Sequence, residues 1–481
     1  MVDVERFDLE PTRPAFHGLL GDVAADTMAG LSTVEKLPYL LQVFDPDRVS
    51  TRMGGSLPEV GRTLSGWPQL IGDVTVGAAT VLEAIRRIGL DEPLASGRTQ
   101  IDVGDLLGEL AEPAGAAQPV TVEEPATSAV STGLGEVIDA VVAAAIRAPS
   151  GGNSQPWQIE ATTENVTVSI DPARTSTMDV GFRGSAVAVG AAAFNARIAA
   201  AVNGFSTEVT YTEPGTQRPL EAVVQLRPGG DHDLARWHPA VFDRETNRNH
   251  GTGATLAPEI AESLARVARQ HGARLHVMVD RDEITRTARV FADADQTRYL
   301  TPTLHEEMIS ELRWPGDEDK DFGIDVRSLA LGPGDLAALN LLRRGDVVAK
   351  LDDWDAGTVL GDDTFNRMVS SSGVATVLTT GTTLSDFARG GAAVAAVWMA
   401  AQEFGLTVQP VSPPFLYALT DTEFGELSSK YADELLRLQG TFNALTGKRS
   451  DESMVLSLRI SMAAPASVPS RRSTVFEVTA G

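Results

Sequence analysis

The chain has 481 residues, 40 of them Lys or Arg and 65 Asp or Glu, for a formal net charge of −25, and it contains no cysteine. That length exceeds one ordinary core and predicts two or three domains, while the acidic surplus excludes nucleic acid and anionic membrane surfaces as general partners, because the field repels phosphate outside a local basic pocket. Without cysteine there is no disulfide, thiolate nucleophile or Cys-ligated metal; no stretch reads as long and apolar enough to span a bilayer, and Met1-Val2-Asp3-Val4-Glu5-Arg6 lacks the marks of a signal peptide, so a cytoplasmic protein is expected.

Residues 1–112 read as a small helical segment. Leu37-Pro38-Tyr39-Leu40-Leu41-Gln42-Val43-Phe44 forms its apolar core, an Arg- and Gly-rich loop runs to Gly55, and Ser56-Leu57-Pro58-Glu59-Val60 offers an N-cap serine with a proline near the first helical position. Residues 74–88 place Val, Ala, Val, Leu and Ile at helical spacing, which predicts a helix with one apolar face. Strand signal is slight, so the segment cannot be a complete α/β domain. Positions 1–90 resemble the C-terminal part of ThiF-like adenylating domains. The Gly-rich nucleotide loop that such domains place near their start is missing, since the chain begins too late to hold it, and the resemblance therefore implies a structural or dimer-forming role rather than adenylation. The apolar face at 74–88 needs a partner surface, and a homodimer is expected.

Residues 113–132, rich in Ala, Pro, Glu, Ser and Thr, read as a linker. An apolar helix follows at 137–147, then Ala148-Pro149-Ser150-Gly151-Gly152-Asn153-Ser154-Gln155-Pro156-Trp157, then the alternating strand Val166-Thr167-Val168-Ser169-Ile170. Pro149 ends the helix by removing a donor. Gly151 and Gly152 let backbone N–H groups approach a ligand closely, while Ser150, Asn153 and Gln155 set short hydrogen-bonding groups beside the ring of Trp157. Such a turn suits a planar molecule with polar edges; the plain alternative is a solvated turn with a buried tryptophan. The run resembles the signature of FMN-dependent nitroreductases, where it borders the flavin, and members of that family are in some proteins joined to ThiF-like domains.

An internal repeat runs through the rest. Arg183-Gly184-Ser185 opens an apolar helix to Gly204 and the strand 206–211; Arg389-Gly390-Gly391 opens a second apolar helix to Gly405 and the strand 407–411. These predict two tandem halves, 133–240 and 241–481. The resemblance implies a flavin between two facing halves, with an Arg-x-Ser-x-Arg element from one and the Pro-Ser-x-x-Asn turn from the other. The region before Ala148 lacks that element, but Arg244-Glu245-Thr246-Asn247-Arg248 supplies it at the start of the second half, ahead of a helix at 258–271; no second Pro-Ser-x-x-Asn turn follows. If the halves fold together as a pseudo-dimer, one complete site forms. Arg244 and Arg248 would hold phosphate and ribityl oxygens, Thr246 would add a hydroxyl, Ser150 and Asn153 would face the flavin, and Pro149, Gln155 and Trp157 would shape the turn. Taken by itself the Arg-x-Thr-x-Arg run also fits an exposed loop with surface ion pairs. Arg389, Gly390 and Gly391, opening the second helix, would offer N–H groups to phosphate. Arg471 and Arg472 resemble the basic C-terminal element that meets flavin phosphate in the family, or form a frayed tail.

Other chemistries find no support. The seven His show no ligand-spaced pair and no metal is expected; no Gly-x-Ser-x-Gly elbow or P-loop occurs. His305-Glu306-Glu307 and Glu311-Leu312-Arg313-Trp314-Pro315 read as a solvated acidic helix end with a packed aromatic; the resemblance, in whose tandem members this region precedes an insertion that can cover the flavin, implies Trp314 as a roof of the site. The expected fold is α+β, a nitroreductase-like two-lobed pseudo-dimer with a small N-terminal helical segment. The resemblance implies one FMN per chain, NAD(P)H as reductant and a small aromatic or quinone-like acceptor, with no catalytic side chain required because the flavin performs the chemistry. Two other readings are a protein that sequesters flavin or acts as a scaffold without turnover, and an enzyme that consumes flavin as its substrate.

Overall fold

The computed structural model describes residues 1–23, 25–44, 56, 63–66, 69, 71–101, 103–108, 110, 132–317 and 321–473. The chain divides into two compact units, Met1–Ala117 and Gln118–Gly481. In the first, strand β1 (Val2–Val4) pairs antiparallel with β2 (Gly97–Thr99), which the sequence reading lacked. Ser32 and Glu35 close a capping box on the helix Thr33–Val43. The expected helix at 74–88 is Ile71–Gly89, and it buries none of its residues: Ile71, Val81, Leu82 and Ile85 are all exposed. The proposed helix start at 56–60 and the linker at 113–132 lie, except for Ser56 and Thr132, outside the described residues.

The second unit mixes helix with two four-stranded antiparallel sheets. One orders β3 (Trp157–Ala161), β4 (Asn165–Ile170), β6 (Glu221–Pro228) and β5 (Phe205–Thr212); the other orders β11 (Thr407–Val411), β12 (Glu452–Ser461), β10 (Gly373–Thr380) and β7 (Arg274–Met278). Two short strands, β8 (Leu312–Arg313) and β9 (Ile324–Asp325), pair in parallel beside them. The core is continuous: Val141, Ile170 and Phe194 belong to the same apolar cluster as Phe291, Val377 and Trp398.

Two helices of 20 residues, Arg183–Val202 and Leu384–Glu403, cross within that core. They are small and apolar on nearly every side, as a helix with no solvent face must be. Close approach follows from the glycines. A Cβ on Gly190 would stand 1.8 Å from the Ala388 carbonyl oxygen, and one on Gly391 would stand 2.1 Å from that of Val187. Each helix thus lays a glycine on the other's backbone. The region Val180–Val202 is long and apolar enough to cross a membrane by length and composition, contrary to the sequence reading, and 89% of its apolar window is buried inside the fold.

Both expected apolar helices are present, but their register differs from the sequence alignment. Thr383 and Asp386 form a capping box that starts the second helix at Leu384. The two helices begin at Arg183 and Leu384, end at Val202 and Glu403, and place Gly190 and Gly391 at the same step. Arg183 therefore corresponds to Leu384, and Arg389-Gly390-Gly391 lies inside the helix, past its free N–H groups.

Candidate functional site

The helix Glu136–Ile146 ends where the turn begins. Ser150 Oγ accepts from Gln155 N at 3.0 Å and closes it, while Gly152, Asn153 and Gln155 take φ of 57°, 53° and 52°. Glycine and asparagine tolerate that region and glutamine does so at a cost, so the turn is held by its surroundings. Asn153 Nδ2 donates to Gly323 O at 3.2 Å and Arg471 O at 3.1 Å, and its Oδ1 accepts from Arg472 Nη1 at 2.9 Å. Gln155 Nε2 donates to Asp321 O at 2.9 Å, and its Oε1 accepts from Ser473 N at 2.9 Å. Both side chains therefore spend their polar atoms on neighbouring chain.

A cavity of about 640 Å³ opens beside the turn, within the usual range for small-molecule sites. Pro149, Ser150 and Asn153 line it together with Arg244, Thr246, Arg248 and Arg472, from distant parts of the sequence. Arg244, 2% exposed, donates to Arg147 O at 2.5 Å and lies 4.6 Å from the centre of the Trp398 ring. Arg248 donates to Ser328 Oγ at 3.3 Å. Its loop is clamped by buried guanidinium groups, Arg367 donating to the Arg248 carbonyl and Arg459 to those of Asn247 and Asn249. Arg472 reaches the Arg147 and Ala148 carbonyls at 3.3 and 3.2 Å, which caps the end of the preceding helix.

These cations are short of partners. Among the described residues no carboxylate comes within 4.0 Å of Arg244, Arg248 or Arg472, and the Nε atoms of Arg244 and Arg472 are buried without a hydrogen bond. Glu245, the acid nearest to them, is engaged by Arg147 at 3.1 Å and by Ser470 N at 2.9 Å. Burial pushes Arg244 and Arg248 down to about 10 and Arg472 to about 9, with neighbouring arginines pushing the same way. All three stay charged at neutral pH. An unneutralised cationic wall of this kind, with Arg244 buried and Arg248 and Arg472 half-buried, favours an anionic ligand.

The lining also carries acids, and one of them abuts the turn: a Cβ on Gly152 would stand 2.5 Å from Glu311 Cδ. Glu311 pairs with Arg298 at 3.2 Å, Glu307 accepts from Thr177 N at 2.9 Å and Oγ1 at 2.7 Å, and Asp295 accepts from Thr364. Burial raises the carboxyls of Asp295 and Glu311. This corrects the solvated helix end expected at 305–315, because Glu307 and Glu311 face the cavity. Trp314 does not roof it: Arg343 stacks 4.4 Å from its ring, and it packs against the cluster of Leu312, Val326 and Leu339. Phe322 stands in the lining.

Of the other expected site residues, Trp157 opens β3 opposite Ile170 and is a core side chain, 4% exposed. Gln155 is buried behind the turn. Arg389 pairs with Asp386 at 2.8 Å on the outer face of its helix, while Gly390 packs against Val455 and Gly391 against the other helix, so none of the three borders the cavity. Arg471 gives its carbonyl to Asn153 and its side chain is outside the lining. The sequence reading missed Arg298, Asp295 and Asp179. The first two share one helix face at i, i+3 spacing, the only local signal they carry.

No family model matches the chain. An uncharacterized protein of Mycobacterium tuberculosis is 49% identical over 476 residues, covering 98% of this chain, which spans 66% of that protein's length. Among solved structures, an oxidized iodotyrosine deiodinase bound to FMN and 3-iodo-L-tyrosine aligns at 13% identity over 50% of this chain and 96% of its own, with a TM-score of 0.29. An FMN-dependent nitroreductase from Clostridium difficile aligns at 11% over 51% and 98%, with a TM-score of 0.30; a nitroreductase with bound FMN from Desulfitobacterium hafniense aligns at 11% over 48% and 92%, with 0.27. At these identities and scores the structural alignments carry no functional argument.

Proposed function

We propose that the second unit is an FMN-dependent oxidoreductase of the nitroreductase type, built as a fused pair of halves, 133–240 and 241–481, that share one cofactor. The observation that carries this reading is the meeting of two half motifs, the turn at Pro149, Ser150 and Asn153 and the Arg244, Thr246, Arg248 run, in one cavity where Arg244, Arg248 and Arg472 have no carboxylate within 4.0 Å among the described residues. The residues fit the group. The volume accommodates a drug-sized planar ligand, and Arg244 and Arg248 hold unsatisfied charge suited to a phosphate dianion. When bound, FMN would supply electron transfer between NAD(P)H and a small aromatic or quinone-like acceptor. The chain itself binds and orients: Arg244 and Arg248 anchor the phosphate, Thr246 adds a hydroxyl, Ser150 and Pro149 border the ring, and the buried walls exclude water. No side chain is assigned as an acid or base.

The absorbance spectrum of the purified full chain tests this. A flavin spectrum that bleaches anaerobically with NADH or NADPH is expected; a flavin spectrum inert to both indicates a holding protein, and a colourless protein that takes up no FMN refutes the reading. For the first unit we propose an assembly role in a homodimer through the exposed face of Ile71–Gly89. Light scattering should give twice the chain mass, and calorimetry with Mg-ATP should give no heat.

A further inference from the structure

We propose that Phe322 and Arg313 form the recognition platform for a planar aromatic molecule bearing an anionic oxygen, and that Asn153 and Gln155 are positioning residues that hold this platform in the cavity. The inference rests on the flavin reading only in taking this molecule as the second occupant of the same cavity.

Phe322 is 47% exposed, as Phe242 and Phe404 nearly are, but of these three it alone lines the cavity. Leaving an aromatic ring in water forgoes a burial gain. Its backbone is nevertheless fixed on both sides. Gln155 Nε2 holds the Asp321 carbonyl at 2.9 Å, Asn153 Nδ2 holds that of Gly323 at 3.2 Å, Gly323 N donates to Asn153 O at 3.3 Å, and Ile324 N donates to Glu311 O at 2.7 Å. Gly323 itself needs φ of 86°, and a Cβ there would stand 2.7 Å from Glu311 O. A large ring presented by so pinned a segment is preorganised for contact, which lowers the entropy lost when something stacks on it.

Arg313 supplies the charge. It is 4% exposed, lines the cavity, and its Nε has no hydrogen-bond partner among the described residues. Its Nη2 stands 3.7 Å from Asp325, a carboxylate that Arg327 holds at 2.6 Å. The strand pairing of β8 with β9 sets Arg313 opposite Asp325, and its Cγ would lie 3.3 Å from a Cβ on Gly323, beside Phe322. A flat ring with a carboxylate or similar oxygen satisfies both groups at once.

The test uses 1-naphthoate and cyclohexanecarboxylate, equal in charge and different in planarity, titrated calorimetrically into the purified full chain and its variants. The parent should prefer naphthoate. Phe322→Ala should weaken naphthoate roughly three- to tenfold and leave cyclohexanecarboxylate unchanged, and Phe322→Tyr should restore the preference. Arg313→Lys and Arg313→Gln should weaken both probes, the second more. Gln155→Leu should lower the naphthoate preference without changing the charge-dependent part. Flavin content, read from absorbance on the same samples, should stay at the parent level in Phe322→Ala. A colourless parent that still prefers naphthoate through Phe322 would overturn the flavin reading and keep this one. Parent-like naphthoate binding by Phe322→Ala, or no naphthoate binding by the parent, would overturn this one.

Discussion

Replacing Arg248 by alanine should weaken FMN strongly while leaving the empty protein as stable as before. In the structure Arg248 makes one hydrogen bond, to Ser328 Oγ at 3.3 Å, and no ion pair among the described residues; Arg367 adds a like charge beside it. A neutral-acceptor bond of that length contributes at most about 1 kcal/mol, and loss of a half-buried charge with no ion pair offsets it. With FMN bound the same side chain makes a charge-assisted contact to phosphate, about 1.5–3 kcal/mol, or roughly ten- to a hundredfold in Kd. Titration of stripped protein with FMN, followed by quenching of flavin fluorescence, measures the second term, and thermal unfolding of the stripped protein measures the first. Arg248→Lys should fall between parent and alanine, since it keeps the charge and loses the fork. An unchanged Kd in Arg248→Ala would show that the second-half motif serves only the loop, and the anion site would then have to centre on Arg244 and Arg472.

Asn153→Ala should weaken FMN only through loosening of Arg472, hence less than Arg248→Ala does, and because Asn153 ties down Arg471 and Arg472, limited proteolysis should cut the C-terminal residues faster than in the parent. Gly190→Ala should destabilise the fold by about 1–3 kcal/mol or more, read as a lower Tm, since its Cβ would meet the Ala388 carbonyl oxygen at 1.8 Å. Glu452 is held down to about 2, first by its hydrogen bonds to Arg274, against the opposing effect of burial, with the Arg449 N–H assisting. Its folded value lies below the unfolded one, so its stabilisation is present above about pH 4.5 and is lost as pH falls toward 2. Glu452→Gln should remove about 2–3 kcal/mol at pH 7 and flatten the acid side of the stability curve; an unchanged acid midpoint would contradict that.

Much of the fold was legible because single elements carried their own signal. The all-round Ala, Val and Gly of 183–202 reads as a buried helix without knowledge of its partner, and the turn at 148–157 is marked by its proline and glycines. The slip at the second helix has a local cause. Arg389-Gly390-Gly391 imitates Arg183-Gly184-Ser185, while the true start is written in Thr383-Leu384-Ser385-Asp386, a capping box preceding an apolar run. The pair β1 and β2 joins two three-residue segments from opposite ends of its unit, too short for periodicity to show. The cavity's acidic lining depends on contacts such as Thr177 with Glu307, which no spacing encodes. For the same reason Asn153 and Gln155 read as ligand contacts, whereas their partners are backbone groups of 321, 323, 471 and 473 and the Arg472 guanidinium.

The central claim is one FMN shared by two halves of one chain, and counting the cofactor tests it most directly. The purified full chain, saturated with FMN and freed of excess, should release one FMN per chain on denaturation, identified by mass and quantified by absorbance. One is expected because Pro149-Ser150-Gly151-Gly152-Asn153 and Arg244-Glu245-Thr246-Asn247-Arg248 each occur once in the chain and line one cavity. Two flavins per chain, or none after saturation, would contradict the account.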